Sequence, residues 1–137
     1  MSPAAVHPVE STRSVPADSV LLIGAESLER AILHLFASSH WTLVREASLD
    51  RALELVESAH IPVVLCDDAD VLTIEAAVSK LHPRPVVIAL STNDRFGAGI
   101  HARGRSAFLL NVHRIAAGEW FSLINHAWRT THERNGL

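Results

Sequence analysis

Five short apolar runs, each followed by a helical pattern, constrain this chain more than any other feature. The runs are Val20–Ile23, Trp41–Val44, Ile61–Leu65, Val86–Leu90 and Ala107–Val112. They are rich in β-branched residues and bounded by polar, Gly or Pro residues, as strands buried on both faces of a parallel sheet are. In the first intervening segment Leu28, Ala31, Ile32, Leu35 and Phe36 share one helical face, and in the second Leu49, Ala52, Leu53 and Val56 do. Ser48 is the expected N-cap of that second helix, with Asp50 in the first turn, where negative charge suits the helix dipole. A third helix is expected near Thr73 to Leu81, stopped by His82-Pro83-Arg84-Pro85. A fourth is expected from about Arg95 to Arg103, although Gly97 and Gly99 each cost about 1 kcal/mol relative to alanine. The fifth is expected from about Ile115 to His132.

Five β-then-α units joined by right-handed crossovers fold into an open parallel sheet with helices on both faces. Ligands and chemistry in such folds gather at the carboxyl ends of the strands. The residues to inspect are therefore Gly24, Ala25 and Glu26; Asp67 and Asp68; Ser91 and Thr92; Asn111 and Val112. A chain of 137 residues is long enough for one such domain. Its 48% apolar content excludes disorder for most of its length. Residues 1–18, with Pro3, Pro8 and Pro16 among small polar residues, read as a flexible tail before a domain over 19–137. The tail lacks the charged-then-apolar order of a secretory signal. Net charge is −3 with acids and bases interspersed, so nothing demands a nucleic acid or an anionic membrane. No apolar run is long enough to span a bilayer. The single cysteine, Cys66, cannot form an internal disulfide, which suits a reducing, cytoplasmic compartment.

Four segments carry a resemblance to a known family. Glu46-Ala47-Ser48-Leu49-Asp50-Arg51-Ala52-Leu53 resembles the passage from second strand to second helix in response-regulator receiver domains. Val63-Val64-Leu65-Cys66-Asp67 resembles their third strand, whose terminal Asp is the phosphoacceptor. Val87-Ile88-Ala89-Leu90-Ser91 is similar to the fourth strand, which ends in a hydroxyl residue. Gly104-Arg105-Ser106-Ala107-Phe108 resembles the approach to the fifth strand, with Phe108 at the aromatic switch position. The likeness extends from Val20 to about Arg129 and rests on order and spacing. It implies a flavodoxin-like five-stranded sheet in the order 2-1-3-4-5. It also implies two-component signal transduction, with Asp67 at the phosphoacceptor position and Ser91 and Phe108 at switch positions. Glu26, Asp68 and Asn111 would then lie at the edge of the active site.

The departures from that pattern remove chemistry. Receivers hold Mg²⁺ with two acids after the first strand, and this chain has Gly24 and Ala25 there. Asn111 stands where the family has lysine, Val112 where proline follows it, and Val71 where another proline follows the phosphoacceptor. Phosphoryl transfer to a carboxylate needs a cation to neutralise the equatorial oxygens. Mg²⁺ takes oxygen ligands in octahedral geometry, usually with one or two carboxylates. Asp67 with Glu26 in reserve is a poor cage, and Asn111 brings no charge. A surviving strand-end polar residue is therefore the reading preferred for Asp67, and no Mg²⁺ or other cofactor is expected.

Other constellations are weaker still. Asp67, Asp68 and Asp70 read as a solvated turn before a cation site, because alternate strand residues face opposite ways. The nine histidines show no metal-ligand spacing. Gly24-Ala25-Glu26-Ser27-Leu28-Glu29 lacks the glycines of a dinucleotide turn and carries two carboxylates instead. Arg95, Arg103, Arg105 and Arg114 make one locally basic region, read as a solvated or protein-binding surface. No catalytic constellation is present, so no enzyme is expected.

The fifth helix places Ala117, Phe121, Ile124 and Trp128 on one face, and Ala116, Trp120, Leu123 and Ala127 beside it. The broad arc fits either a wide core stripe or a patch that packs against a partner. The family's habit of dimerising through the fourth helix, fifth strand and fifth helix favours the patch. Trp120 would be its partly exposed anchor, with Leu123 and Ala127 alongside. The expected function is a receiver-like signalling domain acting by protein–protein contact, as a homodimer or with another protein, independently of phosphorylation. The alternative is a working phospho-receiver in which Asp67 is the phosphoacceptor.

Overall fold

Because helices cover both faces of the sheet, β1 (Ser19–Ile23) is buried at all five positions and reads in sequence as an unbroken apolar run. The computed structural model describes residues 19–37, 41–81, 84–92, 101–103, 107–114 and 117–136, with side chains in the last stretch limited to 118–126 and 129. The tail over 1–18 lies outside the described residues. After β1 come α1 (Glu26–Ile32), a 3₁₀ turn (Leu33–Phe36), β2 (Thr42–Glu46), α2 (Leu49–Ala59) and β3 (Val63–Asp67). A second 3₁₀ turn (Asp68–Asp70) leads into α3 (Val71–Val78), followed by β4 (Val86–Ser91), β5 (His101–Arg103), β6 (Ala107–Asn111) and α4 (Ala117–Gly136).

The protein is an α/β fold on a mostly parallel sheet of six strands, ordered β2-β1-β3-β4-β6-β5. Five of the strands are parallel and follow the expected order, with β6 in the place of the expected fifth. The sixth corrects the expectation. His101–Arg103, read from sequence as the end of a fourth helix, is a strand antiparallel to β6. Three residues separate β5 from β6, a hairpin spacing, and the pairing covers an edge that β6 would otherwise leave open. The remainder of the expected helix, over 93–100, lies outside the described residues.

Alternation along the strands divides the core. Val20, Leu22, Val63, Leu65, Ile88, Leu90 and Leu110 face α1, the first 3₁₀ turn and α4. Leu21, Ile23, Val64, Cys66, Val87, Ala89, Ala107 and Leu109 face α2 and α3. Ser48 caps α2 as expected, its Oγ accepting from the Arg51 N–H at 3.4 Å. That helix ends on His60, whose φ of 54° is left-handed, a position at which glycine is the usual occupant. The third helix begins at Val71, two residues before the expected start, because the 3₁₀ turn feeds directly into it.

α4 is rolled relative to the expected stripe. Trp120, Leu123 and Ile124 are buried against the first face, and Phe121 lies at its margin. Trp120 meets Phe36 edge-on, with ring centroids 5.6 Å apart. The partly exposed anchor expected at Trp120 is thus overturned: its exposure is 0%. Leu123, expected beside it on the patch, is buried too, and the side chain of Ala127 lies outside the described residues. An arc broader than one stripe lets either line face the sheet, and the hollow beside Phe36 takes the larger ring.

Candidate functional site: the carboxyl edge of β3, β4 and β6

The end of β3 is shaped by its own sequence. The buried run Val63–Cys66 stops at exposed Asp67, where the chain leaves the sheet. Asp67 then caps the turn that follows, its Oδ1 accepting from the Ala69 N–H at 2.8 Å. In register, Asp67 lies against Leu90, and the next residue, Ser91, lies against Asn111. Ser91 and Asn111 are both buried. Asn111 Oδ1 accepts from the His113 N–H at 2.9 Å, while the Val112 N–H donates to the Ser91 carbonyl at 2.9 Å. Three of the expected residues therefore meet at one edge, each bound into its own turn or ladder.

The other expected positions divide. Asp68 belongs to the edge, and its Oδ1 receives the Arg103 Nε at 2.7 Å. That arginine comes from β5, three strands away from β3. Glu26 pairs its carboxylate with Arg30 one helical turn on, at 3.0 Å, with both groups well exposed. Phe108 is half-buried on β6, packed against the aromatic side of the core and paired in register with Ile88 and Ala102.

The end of β1 carries no carboxylate. Gly24 and Ala25 lead into α1, and Arg45 from β2 closes this corner. Its guanidinium donates to the Gly24 carbonyl at 3.1 Å and pairs with Glu29 at 3.2 Å.

Directly below the acidic turn sits Cys66, fully buried. Burial, followed by the nearby charges of Asp70, Asp67 and Asp68, pushes its thiol up to about 12. A thiol so placed stays protonated and is a poor nucleophile.

The Mg²⁺ that the receiver resemblance implies does not fit this donor set. One oxygen of Asp67 is engaged by the turn, Asp68 already holds a guanidinium, and the β1 end offers backbone in place of acids. Among the described residues no group of three or more His, Cys, Asp or Glu side chains could hold a metal ion.

Sequence reasoning missed Arg103 and Arg45 as edge residues. Arg103 belongs in sequence to a locally basic region, and its 35-residue separation from Asp68 leaves no local signal of the pair. Fold and edge together define an α/β protein with a polar, internally paired carboxyl edge. No protein-family model and no curated protein matches the chain. Among the described residues no helix is long and apolar enough to cross a membrane.

Proposed function

We propose that this chain is a receiver-like signalling domain of flavodoxin-like type that acts by binding protein, independently of phosphorylation and without catalysis, in the cytoplasm. One observation carries this reading. At the strand end where a phosphoacceptor would need a cation, one of the turn's three carboxylates, Asp68, is already paired with Arg103, and Gly24 and Ala25 bring no acid after β1. A carboxylate already paired inside the chain is a weaker ligand for the cation that phosphoryl transfer requires.

Partner contact is assigned to the β5–β6 edge and the outer face of α4, in place of the Trp120 patch. That face bears exposed Glu119, Ser122 and His126 beside a shallow groove of about 530 Å³. A protein partner, a second copy included, would meet a polar rim there. The test is sedimentation together with affinity capture from the native host. Asp67→Asn should associate as the wild type does, and Ser122→Arg with His126→Glu should associate less. Loss of association in Asp67→Asn alone would contradict the proposal.

The second reading, a phospho-receiver using Asp67, is favoured by the exposure of that carboxylate at the strand end beside Ser91 and Asn111. It requires acyl-phosphate formation that disappears in Asp67→Asn.

A further inference from the structure

Three carboxylates, those of Asp67, Asp68 and Asp70, fall within four residues at the end of β3. Asp67 and Asp70 are exposed to water; Asp68 is only partly so, and a positive charge beside it interacts more strongly than one in bulk solvent. The chain supplies one, from a distance. Arg103 lies on the outermost strand, and its guanidinium reaches past β6 and β4 to Asp68. On the face shared with α2 and α3 those two strands present Val87, Ala89, Ala107 and Leu109. The backbone beneath Arg103 is fixed by the β5–β6 ladder, which pairs Arg103 with Ala107. Exposure is 37% for the Arg103 side chain and 28% for that of Asp68, so the pair is only partly screened by water.

We propose that Arg103 is a built-in counter-ion that occupies the acidic turn after β3 and closes it to divalent metal. A guanidinium is charged at every ordinary pH and donates in a fixed fork, so it competes with an exchangeable ion for Asp68 under all ordinary conditions. A divalent ion entering the turn has to displace Arg103 or share Asp68 with it, and like charges oppose the sharing. The misfit of Mg²⁺ at this edge then has a specific cause in addition to the missing acids. The inference rests on the phosphorylation-independent reading and supplies a mechanism for it.

The probe is Mn²⁺ alone, followed by loss of its free-ion paramagnetic resonance signal. Wild-type protein, Asp67→Asn, Arg103→Gln, Arg103→Met, Arg103→Lys and the double variant Arg103→Gln with Asp68→Asn are compared at one ionic strength. The wild type and Arg103→Lys should leave the signal of free Mn²⁺ unchanged. Arg103→Gln and Arg103→Met should bind Mn²⁺ on the order of tenfold more tightly, as expected when one contact charge is removed from a partly solvated site. The double variant should return to wild-type behaviour. Failure of both neutral variants to gain affinity overturns the counter-ion and leaves the wider functional reading standing. Mn²⁺ uptake by the wild type that is lost in Asp67→Asn overturns both. If the neutral variants lose their native circular-dichroism spectra, Arg103 is needed for folding, and its assignment as a counter-ion falls.

Discussion

The two faces of the sheet are built from different materials. The face under α1 and α4 is aromatic, with Phe36, Trp41 and Trp120 buried and Phe108 and Phe121 packed at its margin. The face under α2 and α3 has no aromatic ring among its clustered residues; it is aliphatic, with Ala52, Cys66, Ala89 and Ala107 among them. Rings bury more area and lock one another edge-on, as Phe36 does with both Trp120 and Phe121. The Trp41 indole adds a hydrogen bond to Asn125 Oδ1 at 3.3 Å, tying the approach to β2 onto α4. The aliphatic face ends instead in the acidic turn, the buried thiol and the reach of Arg103. One face anchors the fold, and the other leaves room for polar chemistry at its carboxyl end.

That contrast makes its largest demand at Trp120. Truncation to alanine should cost about 3–5 kcal/mol in denaturant unfolding, the range for large buried aromatics. Trp120→Phe should cost much less, because a ring remains against Phe36. The change also removes a buried indole N–H that has no partner among the described residues. Equal losses in the two variants would mean that the aromatic face is not what holds α4.

The aliphatic face should show itself through pH. Below 9.0 the Cys66 thiol is protonated in folded and unfolded chains alike, and its contribution to stability is fully present. Above 9.0 the unfolded chain alone releases the proton. Stability should then fall by about 1.4 kcal/mol per pH unit until the folded thiol titrates near about 12. Urea melts of the wild type and Cys66→Ala should therefore converge as the solution becomes alkaline. A constant difference between them across that range would remove the buried thiol from the account.

The legible parts of this molecule are those with local causes. Strands covered on both faces appear as continuous apolar runs, and Ser48 announces α2 by its own hydrogen-bonding chemistry. Asp67 was legible as the polar residue that ends β3. The roll of α4 was not, because Trp120 and Phe121 are neighbours and both lines through the helix are apolar. Only the shape of the surface beside Phe36 chooses between them. β5 was hidden because three residues carry too little periodicity to outweigh a helical reading, and its pairing with β6 is a tertiary event. The ion pair between Arg103 and Asp68 depends on that missed strand and was hidden with it.

Smaller effects refine the same comparison. Ser48→Ala should cost about 1 kcal/mol through the lost cap of α2. His60→Gly should stabilise by up to about 1 kcal/mol, since glycine adopts the left-handed conformation without a Cβ clash. Both are read from thermal melts. Asp68→Asn and Glu29→Gln each break a partly exposed pair and should change stability by less than about 1 kcal/mol. A much larger loss in Asp68→Asn would make the acidic turn a structural keystone and not a closed polar edge.

The proposed function requires this carboxyl edge to be closed to phosphoryl chemistry, a requirement that experiment can meet head-on. It is tested most directly by incubating the full chain with acetyl phosphate and Mg²⁺ and weighing it intact. The mass of the wild type should be unchanged. Addition of one phosphoryl group to the wild type, absent from Asp67→Asn, would contradict the proposed function.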